Sequence, residues 1–330
     1  MTFKTTWEKA DQLYDLSPPM IEGMVALAFP ENKLASHEVI SGGCANLNIK
    51  INLEGQAHPH ILRIYLRDKE AAYLEQTLGR RLKDVIPIPQ VTFLGDFEGH
   101  RFAILDFMDG IPFRDLLLGS EPFDMEPLMI EAGDILGKIQ AIRFPSSGFF
   151  DRDLKIREPL TQEDYLTHAK ESLNHPTAID QLGKDSISKI LTLLETHATL
   201  FPEAHDNHLV HGDFDPANLL VLKTDGVWKI SGVLDWEFAF SASPLMDVAK
   251  MLRYAHRMPA AYESAFLKGL HKGGVELPED WCLRCDLDNL LSLLDCLIRC
   301  PPDQRPNQCA DICELIERIL SRNVPFEKDR

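Results

Sequence analysis

The chain has 330 residues and a mass of 37.4 kDa, beyond the roughly 250–300 residues at which one hydrophobic core stops growing, so two packed lobes are expected. With 45% hydrophobic and 26% charged residues, the composition excludes a disordered, collagen-like or disulfide-dominated chain. The 51 acidic against 34 basic residues give a net charge of −17, which repels phosphate backbones and anionic lipid, so neither nucleic acid nor a membrane is an expected partner.

No apolar run approaches the roughly 18 residues of a membrane-spanning helix. The opening residues from Met1 to Glu8 lack a signal-peptide apolar segment, and Thr2 excludes myristoylation. Seven cysteines, an odd number, fit reduced thiols, and the expected location is cytoplasmic. Oligomeric state is not written in the sequence.

In chain order, two helices come first. One spans 7–16 behind Thr5-Thr6 and ends at Pro18-Pro19; the second spans 20–29 and ends at Pro30. Glu38-Val39-Ile40 leads into Ser41-Gly42-Gly43-Cys44-Ala45-Asn46, after which Leu47, Ile49, Ile51 and Leu53 alternate with polar residues, a hairpin with a glycine turn. A third strand at 61–66, a helix at 68–82, and strands at 91–94 and 101–105 around Asp96-Phe97-Glu98-Gly99 complete an antiparallel sheet with one inserted helix. From Pro112 the periodicity turns helical, at 115–118, 126–142, 161–173 and 187–200, which puts the lobe boundary near Gly110 and divides the chain into 1–109 and 110–330. One strand-rich island interrupts the second half: 209–210, 219–222 and 227–234, with Thr224-Asp225-Gly226 as its turn. The fold class is α+β.

The catalysis-capable residues concentrate on that island, in Val210-His211-Gly212-Asp213-Phe214-Asp215-Pro216-Ala217-Asn218. A carboxylate five residues before an asparagine, across a proline-containing loop, is the H-R-D-x-x-x-x-N arrangement of kinase catalytic loops with Gly212 in place of arginine. Asp213 is then the group that accepts a substrate hydroxyl proton. The following hairpin brings Asn218 and Asp235 to its same end, and these two hard oxygen ligands suit Mg²⁺, which takes few protein oxygens plus nucleotide phosphates. Asp235-Trp236-Glu237 takes the place of D-F-G, with Glu237 a support for the metal ligands or a ligand of a second metal. A surface hairpin decorated with Asp and Asn is the alternative, against which the ordered set of separations speaks.

The segment from His211 to Asp247 resembles the aminoglycoside phosphotransferase and choline kinase-like superfamily of small-molecule kinases. That family runs His-Gly-Asp, four residues, Asn, an aspartate-led motif and then Pro-x-x-Asp, here Pro244-Leu245-Met246-Asp247. The resemblance implies a protein kinase-like two-lobe fold, an antiparallel sheet lobe followed by a mainly helical one, with ATP and Mg²⁺ as cofactors and a small-molecule hydroxyl as acceptor. His211 is expected to brace the loop. Asp247 is mostly architectural in such proteins, and an N-cap of a helix over 248–252 is an equal reading.

In the first half, Ser41, Gly42 and Gly43 let backbone N–H groups approach phosphate, although a hairpin that needs positive φ explains the glycines as well. The resemblance adds Asn46 to this loop. Arg63 is a charge inside an apolar strand, costly unless a phosphate and a carboxylate neutralise it; Glu70 is the expected carboxylate and Glu75 competes, while an edge strand would leave Arg63 in solvent. Protein kinases carry lysine at this place. Asp106 and Met108, in the link Ile104-Leu105-Asp106-Phe107-Met108-Asp109-Gly110, are expected to offer backbone groups to an adenine edge, an ordinary linker being the alternative.

The family's leucine-histidine pair reads Ile139-Gln140 here, ahead of Gly148-Phe149, so no particular member's substrate carries over. Aminoglycosides, choline or ethanolamine, homoserine and sugar-like metabolites are the candidate acceptors, with specificity expected from 160–200 and 254–330. Hydrolase and zinc-protease readings lack G-x-S-x-G and H-E-x-x-H. The rivals are a zinc or redox module built on Cys282, Cys285, Cys296, Cys300, Cys309 and Cys313, and a nucleotide-binding pseudokinase. Cys296, Cys309 and Cys313 fall in, and Cys285 and Cys300 border, amphipathic helices expected over 286–299 and 308–322, where cysteine acts as a small buried hydrophobe.

Overall fold

The structure, a computed structural model, describes residues 3–8, 16–40 and 46–324. Most of the first expected helix and the glycine turn with Ser41, Gly42 and Gly43 lie outside the described residues. Trp7 and Glu8 are not helical.

Helix α1 (Pro18–Ala28) opens on prolines, whose missing N–H groups fall where a helix has no acceptor to offer. Strands β1 (Leu34–Ile40), β2 (Leu47–Leu53) and β3 (His60–Tyr65), helix α2 (Ala71–Leu82), then β4 (Val91–Phe97) and β5 (His100–Asp106) follow. The five strands form one antiparallel sheet in the order β1-β2-β3-β5-β4. Alternation along β2 buries Leu47, Ile49, Ile51 and Leu53 on one face, where Ile21, Met24 and Val25 of α1 close the core. Ala71 and Ala72 of α2 pack on the opposite face with Tyr65, Val91, Ala103 and Leu105. Helix α2 starts three residues later than expected, because Asp68 Oδ1 accepts the Glu70 N–H at 2.8 Å and turns the chain before the helix begins.

The chain then crosses to the helical lobe. The short β6 (Ile111–Pro112) pairs with β10 (Leu219–Thr224), which pairs in turn with β11 (Val227–Val233). Between β6 and β10 come α3 (Phe113–Leu118), α4 (Met125–Gln140), β7 (Gly148–Phe150), β8 (Ile156–Pro159), α5 (Gln162–Leu173), α6 (Pro176–Thr196) and β9 (His208–Val210). The side chains of Thr161 and Asp164 form a reciprocal capping box at the start of α5. After β11 come β12 (Phe240–Ala242), α7 (Leu245–Leu252), α8 (Ala261–Lys272), α9 (Trp281–Ile298) and α10 (Pro306–Asn323). One large apolar core runs through these helices, and it also takes Leu78 and Leu82 of α2 with Ile86 and Ile88 just beyond.

Sequence periodicity missed α8, and its packing shows why. Gly133 and Gly137 on α4 face Gly269 on α8 and Gly273 just past its end, so the two backbones nearly touch. A Cβ on Gly133 would lie 2.3 Å from the Phe266 carbonyl oxygen, and one on Gly269 would lie 2.2 Å from that of Ile130. The apolar signal is diluted by glycines that serve close approach. Gly269→Val should force the helices apart and cost at least about 2–3 kcal/mol, read as a lower denaturant midpoint with an unchanged slope; an unaltered midpoint would contradict this packing.

Candidate active site

The catalytic loop lies between β9 and β10 and is fixed from below by a buried carboxylate. Asp247, fully buried near the start of α7, accepts the backbone N–H groups of His211 at 2.7 Å and Gly212 at 2.9 Å. The N-cap position of α7 is Pro244, so Asp247 braces the loop and does not cap the helix. Burial raises its pKa, and His211 with the two N–H groups offsets only part of that. His211 Nδ1 accepts the Asp213 N–H at 3.2 Å, which makes Nε2 the protonated nitrogen, donating to the Leu234 carbonyl at 2.8 Å. His211 is therefore a positioning residue with no route to a reacting atom.

Gly212 explains the missing arginine. It sits at φ 84°, and a Cβ there would lie 2.3 Å from the Phe238 carbonyl oxygen, so no side chain fits.

Asn218 Nδ2 donates to Asp213 twice, to its carbonyl at 2.8 Å and to Oδ2 at 3.0 Å, leaving the Asn218 carbonyl oxygen as the group suited to a cation. The β10–β11 hairpin pairs Leu219 with Val233, and Leu234 N donates to Asn218 O at 2.8 Å, so Asn218 and Asp235 meet at its open end as expected. Asp235 takes a left-handed conformation, φ 68° and ψ 62°, a strain of roughly 1–3 kcal/mol. Both backbone groups of Leu234 just before it are hydrogen-bonded, which holds that conformation in place.

Asp235 and Glu237 face Arg63 of β3, a central strand in which Arg63 is 7% exposed. The solvent-exposed reading of Arg63 is thereby excluded. Its Nη2 pairs with Asp235, lies 3.3 Å from Glu75 Oε1 and 3.9 Å from Glu237 Oε1. The expected partner Glu70 is a correction: it stands before α2, exposed, and pairs with Arg152 at 3.2 Å. The late helix start puts Glu75, not Glu70, over the strand, and Tyr65 OH donates to it.

Burial alone would lower the Arg63 pKa, but Glu75 and Asp235 hold it well above the usual guanidinium range. Burial raises Glu75, partly offset by Arg63. Glu237 is pushed up to about 8, by burial first and the Asp235 charge second.

Asn46 does not offer its side chain to a phosphate. Its Oδ1 accepts Leu66 N at 3.3 Å and its Nδ2 donates to Glu237 Oε2 at 2.7 Å, a polar bridge between the lobes. Asp106 N already donates to Gln90 O at 3.0 Å, so a nucleotide base would find only its carbonyl. Met108 lies in the irregular link after β5, near Gly232 of β11.

Three polar residues with no assigned part in the sequence reading also crowd Asp213. Lys4 Nζ lies 3.0 and 3.2 Å from its two carboxylate oxygens and pairs with Asp215, while Lys250 Nζ lies 3.9 Å away. Burial would raise the Asp213 pKa, but Lys4 and Lys250 hold it well below the usual carboxylate range. Burial, then Arg253, depress Lys250 to about 8. Asp215 belongs to the loop sequence itself and is 7% exposed; a second carboxylate beside the base was its readable signal.

The cysteines do not gather into a metal centre. Among the described residues no group of three or more His, Cys, Asp or Glu side chains is placed to hold a metal ion. Cys285, Cys300 and Cys309 are buried, and burial foremost pushes the Cys300 thiol up to about 12. Nor is any helix among the described residues long and apolar enough to cross a membrane.

An α+β, two-lobed protein kinase-like architecture carrying an Asp-Asn loop is thus the class that fold and site define. A family model described as the phosphotransferase enzyme family matches residues 36–281, well over half of the chain, and the chain belongs to that family.

Solved structures share the fold. The aminoglycoside phosphotransferase APH(4)-Ia, as a thermostable mutant in ternary complex with AMP-PNP and hygromycin B, superposes with a TM-score of 0.71 at 20% identity, over 93% of this chain and 99% of that one. The GDP complex of aminoglycoside 2'-phosphotransferase-IIIa gives 0.72 at 16%, over 93% and 100%. The macrolide 2'-phosphotransferase MphH apoenzyme from Brachybacterium faecium gives 0.61 at 16%, over 94% and 99%. No curated protein sequence matches the chain.

The brace is testable. Asp247→Ala leaves the His211 and Gly212 N–H groups buried without an acceptor and should cost about 2–4 kcal/mol, with a lower denaturant midpoint and a matching loss of any turnover. Wild-type stability in this variant would show that the loop does not depend on Asp247.

Proposed function

We propose that the protein is an ATP-dependent phosphotransferase that moves the γ-phosphoryl group to a hydroxyl of a small molecule. The observation that carries this reading is the single hydrogen-bonded unit in which Asn218 holds Asp213 and the open end of the β10–β11 hairpin brings Asp235 alongside. Asp213 orients the acceptor hydroxyl for in-line attack and accepts its proton.

The donor set fits Mg²⁺. One guanidinium faces the carboxyl groups of Glu75, Asp235 and Glu237, and Glu237 Oε1 is buried without a hydrogen-bond partner. Asn218 and Asp235 would hold the ion, with Glu237 behind them. An ion held by these residues would supply positive charge to offset that of the nucleotide phosphates. Arg63 tethers Glu75 of α2 to Asp235, in the manner of the lysine-glutamate pair of protein kinases, and we assign it to the nucleotide phosphates. Asp106 O and Met108 N are the backbone groups we assign to the adenine edge.

For the acceptor, Asp213 and Asp215 together bind an ammonium, that of Lys4. This favours the cationic candidates, aminoglycosides and ethanolamine-like amines, over neutral sugars. Steady-state ATP consumption across a panel of both kinds, with product phosphorylation read by mass spectrometry, tests the reading. Consumption with no panel member, under conditions where nucleotide binds, would favour a nucleotide-binding protein without turnover.

Two substitutions separate the roles. Asp213→Asn should keep nucleotide affinity and lose about 10²–10⁴-fold in turnover. Asp235→Ala should remove the Mg²⁺-dependent part of nucleotide binding, measured by titration calorimetry with and without the ion. Retained turnover in either variant would contradict the assignment.

A further inference from the structure

Residues 3–8 lie across the helical lobe, anchored at both ends, with Lys4 between the anchors at the catalytic loop. Phe3, 3% exposed, sits among aromatic rings, with centroids 5.0 Å from Tyr254 and 6.3 Å from Tyr262. Trp7 is buried, and its Nε1 donates to Asp311 Oδ2 of α10 at 2.9 Å. Glu8 completes the docking by capping α10: Oε1 accepts Asn307 N at 3.0 Å and Asn307 Nδ2 at 2.8 Å, and Oε2 accepts Gln308 N at 3.2 Å.

Between these anchors, Lys4 reaches the catalytic base. Its Nζ engages both oxygens of Asp213, one of which also accepts from Asn218. Asp215, the second carboxylate, is paired with the same ammonium. An incoming hydroxyl therefore meets a base both of whose oxygens already accept hydrogen bonds, with the Lys4 ammonium against them. The segment is not relaxed: Phe3 and Lys4 sit at φ 35° and 63°, a region that costs side-chain-bearing residues free energy and persists only where surrounding contacts impose it.

We propose that residues 3–8 are an intramolecular strap that occupies the acceptor side of the catalytic loop, with the Lys4 ammonium in the place of the acceptor, and that turnover requires the strap to leave. The proposal rests on the phosphotransferase reading for its consequence, inhibition, but not for the docking itself. A docked fraction lowers the apparent affinity for acceptor in proportion to the fraction still open. An acceptor with an ammonium group then displaces the strap by presenting the same charge to the same two carboxylates.

The test uses the full chain, with MgATP and water as the acceptor, and amine labelling by an acetylating reagent read by mass spectrometry. In the wild type, Lys4 should label at least about tenfold more slowly than Lys268, whose side chain is 68% exposed; equal labelling overturns docking. Lys4→Ala and Trp7→Ala should each raise ATP hydrolysis about tenfold, whereas Lys4→Arg should stay near the wild-type rate. Trp7 anchors the strap through Asp311 of α10 and packs its ring near the Lys4 ammonium, so a rise in Lys4→Ala alone would overturn the strap in favour of a local charge effect on the base. No rise in either variant overturns inhibition. If no form hydrolyses ATP, the phosphotransferase reading and inhibition fail together, and labelling still decides whether the strap docks.

Discussion

The buried Arg63 guanidinium is the interaction on which the relation between the lobes depends. A lone guanidinium at this depth would cost several kcal/mol, so β3 can carry it only because carboxylates from elsewhere reach it. Glu75 comes from the sheet lobe's own helix, whereas Asp235 and Glu237 come from the turn that follows the catalytic hairpin. With the Asn46–Glu237 hydrogen bond, these contacts join the lobes at the front by polar groups. At the rear the junction is different: the end of α2 enters the helical core through Leu78, Leu82, Ile86 and Ile88, and Val233 N donates to Pro87 O at 2.8 Å. The junction is thus apolar and packed behind, ionic and hydrogen-bonded in front.

Much of this was legible in the sequence wherever the spacing itself constrains geometry. The hairpin joining Asn218 to Asp235 has a short turn at Asp225-Gly226 and alternating strands, and such a hairpin fixes which residues share its open end. Burial of Arg63 followed from an apolar strand, but its partner did not. Glu70 and Glu75 differ only in where α2 begins, and an Asx turn at Asp68 sets that start. The family resemblance places Asn46 in the phosphate loop, yet its amide reaches Glu237, 191 residues away. Lys4 and Asp213, 209 residues apart, share no local pattern at all; a charge pair at that separation is a property of the packed molecule.

The catalytic loop and the strap show opposite economies of constraint. Around Asp213 the backbone is over-determined: Asp247 holds two N–H groups, His211 ties Asp213 to Leu234, Pro216 O accepts Arg114 N, and Gly212 fits only because it has no Cβ. Gln140, standing where the family has histidine, adds a further tie by donating to Pro244 O at 2.8 Å, just before the helix that carries Asp247. A carboxylate held this firmly needs no ligand to position it, the preorganisation that the proposed role of Asp213 would require.

What varies is then the occupant of the space in front of the base. Two carboxylates there create a local demand for positive charge that the resident Lys250 only partly meets, because burial and Arg253 already depress its own proton affinity. The remaining demand is open to any ammonium that can reach it. Lys4 satisfies it from within the chain, as a cationic acceptor would from solution under the proposed function. On the proposed function, a neutral hydroxyl compound would enter this competition for one pair of carboxylates at a disadvantage of one charge.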